Sequence, residues 1–448
     1  MKRTLSRLAL GGLLLAGGLP GAAKAGGMFP YPTHVETLDN GLKVIVVPMS
    51  SKGLAAYWSI VRTGSRDEYE PGHTGFAHFF EHMMFRGTAK FPAEKYGEIT
   101  TTMGADANAF TSDDITAYHL SVTAGDLEQV MEIESDRFQN LAYAEAAFKT
   151  EAGAVAGEYA KNRMSPFFTL YEAMRKAAFV QHTYGHTTMG FYEDIQRMPE
   201  MYDYSRSFFK RYYRPENVVL LVTGDVQPQR VFELARRYYG PWQRGYVPPQ
   251  VPVEPPQTAE RRLDVPYTAG KTLPMIMVSY KNERFDPQSR SFVASTVLAD
   301  LAFGETSALH KKLVLDEQVV EFIEAESSMN RDPSLFDIIA RVKDAAKVDY
   351  VLGAIDGTVA EFQAAPPDAQ RVAEVKSRSK YGFLMNLETP SAVAGALARL
   401  IALTGGVEAV DQLFATLDTV TPLDVQAAAR ATLARERRTV AVLREGER

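Results

Sequence analysis

Two histidines stand four residues apart with a glutamate between them, in the stretch HFFEH over residues 78–82. On a helix, residues four apart share a face, and the residue at the third step lies beside them. His78 and His82 can therefore present two imidazoles to one point, with Glu81 next to it. A zinc hydrolase needs this arrangement, because nitrogen ligands hold the metal while a nearby carboxylate accepts a proton from the activated water. The alternative is a partly buried helix that carries two structural histidines.

A hydrolytic zinc site needs a third protein ligand, and a later helix offers candidates. The predicted helix over 150–163 carries Glu151 and Glu158, which are seven residues or nearly two turns apart and so face the same way. From the residues alone, two surface glutamates are an equally good interpretation. The small residues expected on this face would let the helix approach a neighbour closely: Ala147, Ala154 and Gly157.

The composition restricts what else the chain could hold. Its 448 residues include eight histidines and no cysteine, so any metal must be bound by His, Asp or Glu. A disulfide scaffold, a cysteine nucleophile and an iron–sulfur cluster are excluded. The net charge of −6 gives no reason to expect nucleic acid as a partner. Four further histidines are expected to be structural: His73, His119, His182 and His186.

The N-terminal residues 1–25, MKRTLSRLALGGLLLAGGLPGAAKA, follow the plan of a secretory signal peptide. A basic start precedes an apolar stretch, and small residues at Ala23 and Ala25 predict cleavage after Ala25. The alternative is a membrane anchor, but the apolar stretch is shorter than the roughly 20 residues of a spanning helix. We expect export to the periplasm, with full secretion as the alternative, and no stable membrane insertion once the signal is removed.

The elements that must position these residues fall into two halves. The segment YVPPQVPVEPPQT contains five prolines and cannot form a helix interior or a central strand. It predicts a linker over 246–259, between an N-terminal domain over 28–245 and a C-terminal domain over 260–448. Both halves show a similar order of strands and helices, which predicts a duplicated α+β unit. The clearest predicted elements are a hairpin over 34–49, a helix over 74–87, helices over 126–139 and 145–163, strands over 217–225, 274–280 and 438–445, and a helix over 289–303.

The sequence around the two histidines, GHTGFAHFFEHMMFRGT, resembles the pitrilysin and mitochondrial processing peptidase family, the inverzincin zinc peptidases. Glu158 lies 80 residues after His78, and Glu151 lies seven residues before Glu158. Glutamates of the family occupy these places. Segments 104–119, 183–190 and 212–226 are similar to the family in the same order. The second half resembles only the general pattern of the family's degenerate domain.

The resemblance implies two homologous α/β-sandwich domains of the LuxS/MPP-like type, each a mostly antiparallel sheet with helices packed on it. It implies a zinc-dependent metalloendopeptidase with one Zn²⁺ per chain and a peptide substrate. The implied roles are zinc ligands at His78, His82 and Glu158, a general base at Glu81, and at Glu151 a carboxylate that orients a ligand or supports the electrostatics of the site. The implied substrate strand, which would pair with an extended peptide, carries Asn108, Ala109 and Phe110.

One part of the family's catalytic set is missing from the second half. Active single-chain members supply an arginine and a tyrosine from a stretch resembling R-x-x-x-Q-x-x-Y. The nearest counterpart, over 307–325, has Val314 and Glu321 at those positions, and neither can stabilise an oxyanion. If this register is wrong, the substitutes are Arg331, Arg341 or Tyr280.

Heterodimeric members of the family divide the zinc site and the arginine–tyrosine pair between two subunits. We therefore predict a bacterial exported zinc-bearing subunit, with a homologous partner that lacks the zinc motif. The alternatives are a non-catalytic assembly or scaffold subunit, and a peptide-binding subunit that uses the strand near Asn108. Scaffold members usually lose parts of the zinc set, whereas all five residues are present here.

Overall fold

The computed structural model describes residues 27–446. The predicted signal peptide lies outside the described residues, as do the last two positions of the predicted C-terminal domain. The described residues form two β-sheets, of six and five strands, with helices packed on both.

The first sheet has the strand order β1-β2-β6-β3-β5-β4. Its central strands β2 and β6 consist mostly of buried β-branched and leucine residues, as expected for strands covered on both faces. They pair in parallel, and the other neighbours pair antiparallel. The strands are β1 (His34–Thr37), β2 (Lys43–Pro48), β3 (Leu54–Val61), β4 (Asp106–Thr111), β5 (Thr116–Thr123) and β6 (Val218–Gly224).

The second sheet has the strand order β7-β11-β8-β10-β9. Only β7 and β11 pair in parallel, so the sheet repeats the pattern β2-β6-β3-β5-β4 strand for strand. The predicted duplication of a mostly antiparallel α+β unit is confirmed. The strands are β7 (Arg261–Tyr267), β8 (Met275–Lys281), β9 (Val320–Ser327), β10 (Leu335–Val342) and β11 (Arg438–Glu445).

Helices connect and cover the strands. Those of the first half are α1 (Phe76–Met83), α2 (Ala93–Thr102), α3 (Leu127–Asn140), α4 (Glu145–Asn162), α5 (Pro166–Ala178), α6 (Tyr192–Arg197), α7 (Tyr202–Tyr212) and α8 (Pro228–Tyr239). Those of the second half are α9 (Arg290–Phe303), α10 (Ala308–His310), α11 (Val348–Ala364), α12 (Ala369–Met385), α13 (Pro390–Thr404), α14 (Glu408–Thr419) and α15 (Pro422–Thr432). The stretch Arg290–Asp316 is long and apolar enough to cross a membrane, but 67% of its apolar part is buried within the protein, as in a core helix.

Each half contributes a helix to the sheet of the other half. Helix α5 packs on β7, β8 and β11, with Leu170 and Met174 fully buried among residues of the second sheet. Helix α13 packs on β3 and β6, where a Cβ at Gly395 would lie 3.8 Å from the Trp58 ring. The two halves therefore share apolar cores rather than touching only through a linker.

The proline-rich segment 246–258 has neither helix nor strand. It is held along the protein by the Glu254 carboxylate, which accepts hydrogen bonds from the backbone N–H groups of Val180, Gln181 and His182 at 3.0 Å. The Lys281 ammonium donates to the same carboxylate at 3.1 Å. Through Glu254, the segment thus contacts both halves of the protein.

Candidate metal centre and peptide cleft

Helix α1, which carries the HFFEH stretch, is fixed by its apolar side and by its first turn. Three phenylalanines of this helix are fully buried in the core of the first half: Phe76, Phe79 and Phe80. The N-terminal N–H groups of a helix lack intrahelical partners. Here a carboxylate from an earlier loop accepts hydrogen bonds from two of them. The two oxygens of Glu68 accept from the N–H groups of Gly75 and Ala77, each at 2.7 Å. Sequence reasoning missed Glu68, because only the folded loop brings it to this helix.

The helix is shorter than the predicted 74–87, because glycines limit both ends. Gly75 has φ +89°, a left-handed conformation that glycine adopts readily. A Cβ at Gly75 would lie 2.4 Å from Ile195 Cδ1, so no other residue fits without rearrangement. After a short 3₁₀ turn, Gly87 has φ +82°. The two histidines thus sit on two well-defined turns.

Helix α4 brings Glu151 and Glu158 against α1, but not by the face expected from its small residues. The buried side chains are Phe148, Glu151, Ala152, Val155 and Tyr159, whereas Ala154 and Gly157 are exposed. The apolar arc lies on one side of the two glutamates and the small residues lie on the other. The expectation of a small-residue contact was wrong for Ala154 and Gly157, whereas Ala147 is partly buried and packs on the core of the first half. Apolar packing decides which side of the helix faces the core.

The structure brings three predicted ligands to one point. His82 Nε2 lies 3.3 Å from His78 Nε2 and 3.3 Å from Glu158 Oε2, and His78 Nε2 lies 3.7 Å from Glu158 Oε2. Tetrahedral zinc with bonds near 2.1 Å separates its ligand atoms by about 3.4 Å. Within residues 27–446, this is the only group of three or more His, Asp or Glu side chains found close enough to hold a metal ion. Two imidazoles and a carboxylate at these spacings fit a zinc ion.

The protonation of the two histidines suits metal binding. Burial, together with the neighbouring His82, lowers the pKa of His78 to about 4, so this ring is neutral at pH 7. The hydrogen bond to Glu151 raises the pKa of His82, so a metal that binds this ring must displace its Nε2 proton. His82 Nδ1 lies 3.1 Å from Glu151 Oε1, and a proton on Nδ1 leaves the Nε2 lone pair for a metal.

Glu81 lies between the three ligands and the edge strand β4. Its Oε2 accepts a 2.7 Å hydrogen bond from the Thr111 hydroxyl, and burial raises the pKa of its carboxyl. Thr111 was not among the predicted site residues, although strand alternation places it on the same face as Ala109. The cleft beside these groups has a volume of about 350 Å³ and is lined by Glu81, His82, Phe85, Arg86, Asn108, Ala109 and Glu151.

The predicted substrate strand is β4, an edge strand of the first sheet. The Ala109 N–H donates to Asn108 Oδ1 at 2.8 Å, so it is not used in the ladder to β5. Asn108 and Ala109 line the cleft, whereas the Phe110 side chain packs edge-to-face on Trp58 with ring centroids 6.1 Å apart. Phe110 is therefore on the expected strand, but it contacts a residue outside the cleft.

The second half contributes no residue to the lining of this cleft within the described chain. Glu321, which the predicted register places at the family's tyrosine, pairs with Arg341 at 3.3 Å. Arg331 donates to the backbone carbonyls of Arg62 and Asp114, and Tyr280, on β8, is buried in the core. The three possible substitutes for the missing pair are thus engaged elsewhere.

Comparison with known proteins identifies the family. Residues 44–191 match the family described as insulinase (peptidase family M16), and residues 201–379 match the peptidase M16 inactive domain. The zinc protease PqqE of Helicobacter pylori is 30% identical over 374 residues, which are 82% of this chain and 83% of that protein. The chain belongs to peptidase family M16. The predicted family resemblance is confirmed.

Other M16 proteins extend the comparison. The mitochondrial-processing peptidase subunit beta of Bos taurus is 30% identical over 214 residues, which are 46% of this chain and 42% of that protein. A solved protease from Helicobacter pylori superposes with a TM-score of 0.86 at 26% identity, covering 93% of this chain and 100% of that chain. The first half of the periplasmic protease PqqL from Escherichia coli gives a TM-score of 0.75 at 20% identity, covering 92% of both chains, and shares the fold.

Proposed function

We propose that this M16 member is a zinc-dependent metalloendopeptidase that hydrolyses peptides or unfolded polypeptide segments. The observation that carries the proposal is the convergence of His78 Nε2, His82 Nε2 and Glu158 Oε2 beside the Glu81 carboxylate. The homology to proteins named zinc proteases supports the same activity.

The chemistry follows from the groups in the cleft. A zinc ion held by the three ligands would act as a Lewis acid and would lower the pKa of a neighbouring water. Glu81 accepts the proton of that water and then donates it to the leaving amine. The Thr111 hydroxyl binds Oε2 of Glu81, which leaves Oε1 for the proton transfer.

The edge strand gives the cleft a means of holding an extended chain. A peptide that pairs with β4 would gain main-chain hydrogen bonds that do not depend on its side chains. The outward N–H of Ala109 lies two residues before Thr111, whose hydroxyl contacts the base. Asn108, whose side chain occupies that N–H, would move aside when a substrate strand binds.

The catalytic set of this chain is incomplete without a partner. Val314 and Glu321 stand where an arginine and a tyrosine are expected, and no described residue of the second half lines the cleft. One M16 relative, the mitochondrial-processing peptidase subunit beta, is named as a subunit. We propose that a homologous subunit without the zinc motif supplies the missing pair in a heterodimer.

An assay of the purified chain tests the activity and the partner together. The chain alone should bind one zinc ion and cleave an unfolded fluorogenic peptide poorly, and adding the partner isolated from the same source should restore turnover. A chelator should abolish the restored activity, and added zinc should recover it. Full activity of the chain alone would contradict the partner requirement, whereas no activity in any combination would contradict the peptidase assignment.

We also propose that the chain consists of a zinc-bearing domain over 28–245, a linker over 246–259 and a degenerate domain over 260–448. The matched strand order of the two sheets supports this division. Because α5 and α13 each pack on the sheet of the other half, the halves should stay associated after cleavage within the linker. Gel filtration of the cleaved protein measures this, and separation into two free halves would contradict the shared cores.

The proposed location is the periplasm, with secretion as the alternative. The N-terminal residues 1–25 support export, and one structural neighbour is described as a periplasmic protease. N-terminal sequencing of the protein from a periplasmic fraction should begin at Gly26. Recovery of the uncleaved chain from the cytoplasm would contradict export.

A further inference from the structure

Arg86 follows helix α1 in a short 3₁₀ turn, four residues after His82. Its guanidinium contacts Glu151 Oε2 through both Nε and Nη2. The other oxygen of the same carboxylate, Oε1, lies 3.1 Å from His82 Nδ1. The contacts therefore run in one line, from Arg86 through Glu151 to His82.

We propose that Arg86 is a positioning residue of the zinc site, which acts through Glu151 on the ring of His82. The proposal rests on the zinc site of the proposed function and adds a residue to it. Arg86 contacts neither His78 nor Glu158 among the described residues, so the contacts that join it to the ligands pass through Glu151.

The geometry explains why an arginine is needed. The Glu151 side chain is 6% exposed, and a buried carboxylate needs donors on both oxygens to keep one orientation. The guanidinium holds Oε2 with two N–H groups, which turns Oε1 toward His82. A lysine would offer a single point charge in place of this paired contact.

The two histidines differ in how their rings are held. His82 Nδ1 has its partner in Glu151, whereas the buried His78 Nδ1 has no hydrogen-bond partner among the residues that the structure describes. Metal-binding histidines usually donate their second ring N–H to a carboxylate or carbonyl, which fixes tautomer and orientation. In this site the hydrogen-bonded orientation of the ligand pair therefore depends on the line of contacts that begins at Arg86.

Zinc affinity of the apo protein, measured by competition with a chromogenic chelator, tests the proposal. Arg86→Met and Glu151→Gln should each weaken zinc binding by about 10- to 100-fold, the usual effect of losing such an outer partner. The double variant should lose no more zinc affinity than the single variant that binds zinc less tightly, because both substitutions act on the same ring. Arg86→Lys should recover part of the loss. Arg230→Met, which removes an arginine of similar exposure paired with Glu128, is the matched control and should bind zinc normally.

The outcomes separate this inference from the proposed function. Additive losses in the double variant, or a raised KM in Arg86→Met with unchanged zinc affinity, would overturn the inference and assign Arg86 to substrate binding or to the fold. If Arg86→Met fails to fold, unchanged zinc affinity in Arg86→Lys and Glu151→Gln would overturn it equally. A wild-type chain without zinc affinity would overturn the zinc site itself.

Discussion

The Thr111 hydroxyl donates a 2.7 Å hydrogen bond to the Glu81 carboxylate, and this contact joins the edge strand to the proposed base. Thr111 is the last residue of β4, so a peptide paired along this strand would be fixed relative to Glu81. Substrate binding and proton transfer are thus coupled through one side chain.

Removing that hydroxyl should slow turnover without removing the metal. A hydrogen bond to a charged group contributes about 1.5 kcal/mol, so Thr111→Val should lower kcat by about tenfold. Thr111→Ser keeps the hydroxyl and should retain most of the activity. Equal kcat values in Thr111→Val and the wild type, measured on samples of equal zinc content, would contradict the proposed role of the contact.

Zinc binding should depend on both histidines of α1. A His78→Ala, His82→Ala double variant should contain no zinc by elemental analysis, because only Glu158 of the three ligands remains. His73→Ala removes a histidine that lies against the Tyr204 ring, and it should keep one zinc per chain. Retention of stoichiometric zinc by the double variant would place the metal elsewhere.

The edge strand should recognise peptides through its backbone. Ala109→Pro removes the outward N–H, and edge strands tolerate proline at such positions. We expect KM to rise by about tenfold, the effect of one hydrogen bond, with zinc binding unchanged. Ala109→Ser keeps the N–H and serves as the control. An unaltered KM in Ala109→Pro would argue against strand pairing at this residue.

Acid should destabilise the protein through His186, which is buried 3.8 Å from Glu68, the residue that caps α1. Burial lowers the pKa of His186 to about 4, whereas an unfolded imidazole titrates near 6.5. The unfolded chain therefore binds a proton that the folded chain does not, and stability falls as the pH decreases between these values. From pH 7 to pH 5 this group should remove about 2 kcal/mol from the free energy of unfolding.

Urea unfolding at the two pH values checks the prediction. In His186→Gln, which has no titrating ring, the decrease in unfolding free energy should be smaller by about this amount. The same decrease in both proteins would show that His186 does not contribute to the acid sensitivity.

The sequence could predict the parts of the site that depend on local spacing. His78, Glu81 and His82 share two turns of one helix, and Glu151 and Glu158 share a face of another, so their relative positions follow from helix geometry. The duplicated fold was also predictable, because the order of apolar strands and helices recurs in both halves. That the two helices meet, however, followed only from the family resemblance.

The parts that were missed depend on tertiary contacts. Glu68 and Arg86 act on residues that the folded chain brings to them, and no periodic pattern marks either one. Strand β7 was not predicted, although Leu263, Val265 and Tyr267 alternate with polar residues, because Pro266 interrupts the segment and proline is disfavoured inside a sheet. Its pairing with β11 makes it a strand. Helices α5 and α13 each pack on the sheet of the other half, and this packing likewise joins elements that are distant in sequence.

The most direct test of the account compares the wild type with Glu81→Gln, each assayed with the partner subunit and analysed for zinc on the same sample. Both proteins should contain one zinc per chain, because Glu81 is not among the proposed ligands. Only the wild type should hydrolyse peptide, with turnover in the variant lower by about 10²- to 10⁴-fold. Comparable turnover in the two proteins would contradict the assignment of Glu81 as the base of a zinc peptidase.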